Sequence, residues 1–267
     1  MSDRERIERE AEDVERRYEE DRLMLQKRQE DYKVIEEVFD HLTLQALDKL
    51  IRKKVIDRFY GVVKAGKEAR IYWAQDPEEA ELAIKIYYTS TAEFRKGMMQ
   101  YIQGDPRFKR FRRNPRSIIY TWTQKEFKNL QLVEGAGINA PRPIDVERNV
   151  LVMTFIGEDG IPAPLLKESN DYNPLDFYNR LLEDMKLLYL KAGLVHGDLS
   201  EYNIMVWDEK PVIFDVSQAM LTGHPIADML VQRDITNINA YFRRLGVEIY
   251  ELEEVESWVK GESESLS

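Results

Sequence analysis

Hydrophobic positions change their spacing several times along this chain, and each change predicts a different element. Over residues 1–33, Ile7, Ala11, Val14, Tyr18, Leu25 and Tyr32 recur at intervals of three, four and seven among Glu, Arg, Asp and Lys. That is one thin apolar stripe on a charged helix, either a solvated segment or a partner-binding, coiled-coil one. Leu44, Leu47, Leu50 and Ile51 share the face of a second helix, with Thr43 as its expected N-cap. From Asp57 the period shortens. "RFYGVVKAG", "ARIYWAQD" and "ELAIKIYY" are short, aromatic and β-branched, and read as an antiparallel meander. The stretch "FRKGMMQYIQGDPRFKRFRRNPRS" shows little periodicity and carries Gly104, Pro106 and Pro115, so it reads mostly as loop. Helical spacing returns in "WTQKEFKNLQLVEGAG", ended by Gly135 or Gly137, and "VLVMTFIGEDG" is a strand running into a turn. "PLDFYNRLLEDMKLLYLKAG" puts Leu181, Met185, Leu188 and Tyr189 on one helix face, with Gly193 at its end. Two short strands around a loop follow over 194–218, then the helical "HPIADMLVQRDITNINAYFRRLGV" and a frayed tail, "KGESESLS".

This order predicts an α+β, bilobal chain. Charged helices over 1–55 precede a sheet lobe over 56–155, which includes the basic loop 90–121. A mainly helical lobe over 156–260 and a tail over 261–267 complete it. A cleft between two lobes is where a ligand is expected.

Composition narrows the chemistry. The 267 residues hold no cysteine, which excludes disulfides, cysteine zinc sites and thiol catalysis, and suits a reducing cytoplasm or a hot one. No apolar run approaches the ~18 residues of a membrane span, and "MSDRERIERE" is neither a signal nor a transit peptide. A net charge of -10 argues against whole-surface binding of nucleic acid. It leaves room for a local patch. Lys109, Arg110, Arg112, Arg113 and Arg116 interleave with Phe108 and Phe111, which suits RNA backbone contact with base stacking, or else a solvated loop.

The stretch "LVHGDLSEYNIMVWDEKPVIFDVSQ", 194–218, sets Asp198, Asn203 and Asp215 beside buried-looking strands. Phosphoryl transfer needs a phosphate cradle, a cation on the phosphates, Mg²⁺ on hard oxygen ligands and a carboxylate to orient the attacking hydroxyl. Lys85, inside the apolar "LAIKIYY", is costly there without an anionic partner, and Glu126 on the following helix is a candidate. His196 reads as structural; His41 and His224 have no metal-ligand spacing.

"HGDLSEYN" matches the HxDxxxxN spacing of the protein-kinase catalytic loop. On that match Lys85 corresponds to the β3 lysine, Glu126 to its helix partner and Asp215 to the metal-binding Asp of DFG. There is no GxGxxGxV, no DFG and no APE. The wording "GKEARIY", "WTQKEFKNL", "HGDLSEYNI" and "FDVSQ", in that order, resembles the RIO family of atypical serine/threonine protein kinases over about residues 55–245. "VQRDITNINAYFRRLGV" and the lack of an N-terminal winged-helix segment resemble its first subfamily. The resemblance implies a trimmed kinase fold that uses ATP with Mg²⁺, or Mn²⁺. Asp198, Lys85 and Asp215 would be catalytic, and Asn203 and Asp215 would hold metal. Gly66, Lys67 and Glu68 would form the phosphate loop, although the family's "STGKEA" is "KAGKEA" here. The base would lie against backbone groups of Thr154 to Ile156, with Met153 behind it and Phe155 and Ile156 in contact. The resemblance further implies autophosphorylation, with Ser90, Thr91, Ser117 and Thr121 as candidates. It implies cytoplasmic work on pre-ribosomal small subunits, their RNA and proteins, with ATP turnover, and it raises phosphate capture on Asp215. Two rivals stand beside it: a small-molecule kinase of the aminoglycoside type, which shares "HGDL", and an assembly factor switched by nucleotide with little transfer.

Overall fold

The computed structural model describes residues 39–89, 92–109 and 114–266. The expected apolar stripe over residues 7–32 lies outside them, as do Ser90, Thr91, Arg110, Phe111, Arg112 and Arg113. The chain divides into two compact units, one ending at Asp48 and one beginning at Lys49. The first described helix is α1 (His41–Arg52). Its cap is Asp40 rather than the expected Thr43. The Asp40 carboxylate accepts from the Thr43 backbone N–H at 2.8 Å and from its hydroxyl at 2.9 Å. Both residues are capping types, but the one outside the first turn can reach back to the third free N–H.

The second unit begins with a five-stranded antiparallel sheet: β1 (Arg58–Ala65), β2 (Ala69–Gln75), β3 (Glu81–Tyr87), β4 (Pro143–Glu147) and β5 (Val150–Thr154), in the order β1-β2-β3-β5-β4. The meander read from the sequence is present as β1-β2-β3, and β3 lies at the centre of the sheet. Ile71 and Leu151 flank Lys85 in register, so the lysine occupies an interior strand position instead of an edge.

The stretch expected to be mostly loop is largely helical. Helix α2 (Ala92–Ile102), a 3₁₀ turn (Pro106–Phe108) and helix α3 (Pro115–Gly135) run through it. Each proline sits at the first position of its element, where the missing N–H costs nothing. Asn114 accepts from Ser117 N at 2.9 Å, and Asp105 from Arg107 N at 3.0 Å. Proline therefore starts these turns. Met98, Ile102, Phe108, Ile118, Ile119 and Trp122 then bury against Tyr87 of the sheet.

Short strands β6 (Gly157–Glu158) and β7 (Ile161–Pro162) form the turn after the sheet. Gly157 has φ +148, and a Cβ there would come within 2.1 Å of the Ile161 carbonyl, so only glycine fits. Helix α4 (Pro174–Leu190) and helix α5 (Ala227–Arg244) build the second core, with Phe177, Tyr178, Leu181, Leu182 and Met185 against Ile235, Ile238 and Phe242. A final helix, α6 (Leu252–Val259), which the sequence pattern did not single out, buries Val255, Trp258 and Val259. Residues 194–221 supply four short strands: β8 (Leu194–Val195), β9 (Ile204–Trp207), β10 (Lys210–Ile213) and β11 (Met220–Leu221). Among the described residues, no helix is long and apolar enough to cross a membrane.

Candidate active site

Two strand pairings assemble the site. In the β9–β10 hairpin Ile204 faces Ile213, and the Phe214 N–H donates to the Asn203 carbonyl at 3.1 Å. Register alone thus sets Asn203 beside the residue that precedes Asp215. The β8–β11 pair sets Val195 opposite Met220, which brings the chain entering at His196 against the chain leaving at Ala219. The loop 196–203 and the loop 214–219 are therefore neighbours although Asp198 and Asp215 are far apart in sequence.

The first loop is held from beneath. Asp234 of α5 accepts from Gly197 N at 2.7 Å and from Leu199 N at 2.9 Å. Burial pushes this carboxyl up to about 6, while His196 and the two N–H groups favour its charge. His196, also buried, accepts at Nδ1 from Asp198 N (3.3 Å), so Nε2–H donates to the Phe214 carbonyl (3.2 Å). The imidazole thus ties the two loops together, in keeping with the structural role expected of it. Asp198 stays exposed above them, with the Asn203 amide donating to its carbonyl at 2.7 Å. Asn203 Oδ1 has no partner among the described residues and is available as a ligand.

Lys85 is buried and bonded at both ends of the site, to Glu126 Oε1 at 2.7 Å and Asp215 Oδ1 at 2.9 Å. Tyr87 donates its hydroxyl to the other Glu126 oxygen. Burial opposes the charge on Lys85, but Asp215 and Glu126 outweigh it and hold the ammonium well above its usual value. Burial also works against the Asp215 carboxylate, yet Lys85 and the Ser217 hydroxyl, 2.9 Å away, keep it below the usual range. Glu126 is raised, because burial and Asp215 outweigh Lys85. Asp215 has φ +59, a left-handed conformation that a non-glycine residue adopts at a cost of ~1–3 kcal/mol.

Glu68 shows how much negative charge gathers here. Burial first, then Asp215, Glu126 and Asp198, push its carboxyl up to about 7, with Lys85 opposing. Four carboxylates thus gather near one ammonium, two of them bonded to it, a charge balance that fits a divalent cation. Among the described residues no group of three or more His, Cys, Asp and Glu converges on a metal position. Asp215 with Asn203 would be a two-ligand site, the kind Mg²⁺ completes with water and phosphate oxygens. The raised value of Glu68 has a stability consequence. A carboxyl held above its ordinary 4.5 adds no penalty below that value and a full one above about 7. In metal-free protein, Glu68→Gln should therefore raise the melting temperature at pH 8, and the gap should close by about pH 5. A gap independent of pH in thermal unfolding would contradict the shift.

A cavity of about 210 Å³ lies under the turn after β5, lined by Ile71, Ala83, Met153, Phe155, Met205 and Phe214 among others. Phe155 N–H is used by the Glu81 carbonyl (3.1 Å) and the Ile156 carbonyl by Ala163 N (2.9 Å). The Ile156 N–H is left without a partner among the described residues, at the mouth of an apolar slot. Gly66 and Lys67 are exposed at the β1–β2 turn, with Gly66 N donating to Ala69 O at 2.9 Å.

Comparison with known proteins agrees with this geometry. The RIO domain family model matches residues 70–255. The chain belongs to the RIO family of serine/threonine-protein kinases. It is 45% identical over 219 residues to the RIO-type serine/threonine-protein kinase Rio1 of Methanocaldococcus jannaschii, covering 82% of this chain and 74% of that one. It is 36% identical over 233 residues to the human serine/threonine-protein kinase RIO1, covering 86% of this chain but 41% of the human protein. Among solved structures it resembles a Rio2 kinase of Chaetomium thermophilum in an ADP/Mg²⁺–phosphoaspartate complex, with a TM-score of 0.61 at 23% identity. That match covers 82% of this chain and 66% of the other, and shows a shared kinase-like fold. The Rio1 relatives agree with the subfamily that the sequence resembles.

The structure brings Lys85, Glu126, Asp198, Asn203 and Asp215 to one place. It also adds residues that the sequence reading passed over. Tyr87, Lys125, Asn129 and Asp234 are buried polar groups within the same hydrogen-bond system. A signal was present for three of them. Asp234 lies on the apolar stripe of α5 beside Val231, Ile235 and Ile238, and Lys125 and Asn129 share the buried side of α3 with Trp122 and Val133. A charged or amide group on a buried stripe needs a partner.

Proposed function

We propose that this chain is an ATP- and Mg²⁺-dependent serine/threonine kinase that also turns ATP over. In this reading residues 56–155 and 156–260 are its two lobes. The observation that carries it is Lys85 bonded at once to Glu126 and Asp215, with Asp198 exposed in the neighbouring loop. Asp215 and Asn203 would hold Mg²⁺, which supplies charge neutralisation on the phosphates. Lys85, aligned by Glu126, would reach the phosphates, with Gly66, Lys67 and Glu68 covering them. Ile156 N–H would hold the base in the slot backed by Met153 and flanked by Phe155. Asp198 would accept the hydroxyl proton of the acceptor.

The acceptor reading follows the relatives, which are named for protein serine and threonine. A small-molecule acceptor would need its own pocket near Asp198. The acidic cavity of about 660 Å³ in the helical part, with Glu248, Glu251 and Glu254, lies at the Asn173 end of α4. Asp198 follows the opposite end, roughly 25 Å away along a helix of this length. Autophosphorylation, a cytoplasmic location and work on small-subunit precursors belong to this proposal through the family resemblance, as does a part for the basic patch from Lys109 to Arg116. ATP hydrolysis with and without small-subunit precursor particles tests it. Stimulated, Mg²⁺-dependent turnover is expected, and transfer to aminoglycosides instead would overturn it.

Capture of phosphate on Asp215 is a separate step with its own test. The Asp215 oxygen would attack the γ-phosphorus, the bond to the ADP oxygen would break, and an acyl phosphate would remain until water released it. With γ-labelled ATP, acid-quenched label should be removed by hydroxylamine and be absent in Asp215→Asn. Label that resists hydroxylamine as phosphoserine or phosphothreonine would reject the step.

A further inference from the structure

Helix α3 sends two consecutive charged residues into the interior, and only Glu126 has a task so far. Lys125 has no exposed surface. Its Nζ donates to the Ser217 carbonyl at 2.9 Å and to the Ala219 carbonyl, and lies 5.6 Å from the centroid of the Trp122 ring. One turn on, Asn129 Nδ2 donates to the carbonyls of Val216 (2.8 Å) and Ala219 (3.1 Å). Its Oδ1 accepts from Arg107, which Asp105 holds at 2.7 Å. The carbonyls of Val216, Ser217 and Ala219, which follow Asp215 closely, are therefore all held by side chains of α3.

This is an expensive way to fill a core position. Burial, and then Arg107, push the Lys125 amine down to about 7, and a buried amine without a directly bonded carboxylate costs more than an apolar side chain of the same length. The segment it grips begins at Asp215, whose left-handed backbone persists only where its surroundings over-determine it. We propose that Lys125, assisted by Asn129, is a positioning residue for Asp215: it clamps the loop so that the carboxylate is presented to the metal. Adjacent residues of one helix then set both ends of the site, Glu126 through Lys85 and Lys125 through the loop carbonyls.

The inference rests on the reading of Asp215 as a Mg²⁺ ligand, so the test separates the two. ADP binding is titrated with Mg²⁺ and, separately, without metal. In Lys125→Met the Mg²⁺ concentration for half-maximal tightening should rise about tenfold, the worth of one lost hydrogen bond, while metal-free ADP affinity stays within about twofold. Asn129→Ala removes neutral donors to the same loop and should shift the Mg²⁺ requirement about threefold in the same direction. It carries the test if Lys125→Met does not fold. An unchanged Mg²⁺ requirement in the folded variants, or an equal loss of metal-free ADP affinity, would overturn the proposal. Asp215→Asn is the control. If it too leaves the Mg²⁺ requirement unchanged, the metal reading of Asp215 has failed, and with it the premise of the clamp.

Discussion

Asp198→Ala should lower turnover by on the order of a hundredfold or more while leaving Mg·ATP affinity nearly unchanged. The expectation comes from where the side chain sits. The Asp198 side chain is exposed and, among the described residues, bonded only to Asn203 (3.4 Å) and Gln218 (3.5 Å). It makes no contact with Lys85 or with the apolar slot, so removing it should not disturb nucleotide binding. Its carboxylate would meet the acceptor hydroxyl only as the proton begins to leave, and interactions made there appear in kcat. Asp215→Ala should behave differently. It removes a proposed metal ligand and one of the two partners of Lys85, so Mg·ATP affinity should fall together with turnover. Calorimetric titration of both variants with Mg·ATP decides between them. Equal losses of affinity would show that the two carboxylates do not divide the work in this way.

Lys85→Met should cost stability as well as activity. Glu126 is 1% exposed, and without Lys85 only the Tyr87 hydroxyl would remain on its carboxylate. Breaking one side of a buried pair typically costs about 3–5 kcal/mol, because the remaining charge has lost its partner. The sign with pH follows. Glu126 already lies above its ordinary value, and loss of Lys85 raises it further. The variant should therefore be most impaired at pH 8 and recover as the carboxyl takes up a proton at lower pH. Lys85→Met combined with Glu126→Gln should regain much of the stability at pH 8 while remaining inactive. Urea unfolding across this double-mutant cycle measures the coupling. Additive losses in the two single variants would mean that the pair does not stabilise the fold.

The Lys85–Glu126 pair also shows what could be read along the chain. A lysine inside "LAIKIYY" required an anion, and the buried stripe of "WTQKEFKNL" supplied Glu126. Pairing across 41 positions was inferred from chemistry, and packing supplied the contact. The stretch after β3 was harder. Gly104, Pro106 and Pro115 are ordinary breaker signals, yet both prolines open turns because Asp105 and Asn114 cap them. A proline ends or starts a helix according to the residue before it, and single-residue punctuation misses that.

By itself the sequence determined the three-strand meander, the helices that carry Glu126 and Asp234, the five-residue spacing of Asp198 and Asn203, the apolar strand leading to Asp215, and the family to which these motifs belong. Those are properties of short windows, where periodicity and spacing act directly. Tertiary structure alone decided that β9–β10 and β8–β11 register would put the two loops side by side. It also decided that Asp215 would sit at φ +59, and that Lys125, Asn129 and Asp234 would spend their polar groups on loop backbone. The reason is burial. Once a polar group leaves water it must bond to whatever backbone the fold brings within about 3 Å, and no local pattern names a partner 37, 87 or 92 residues away.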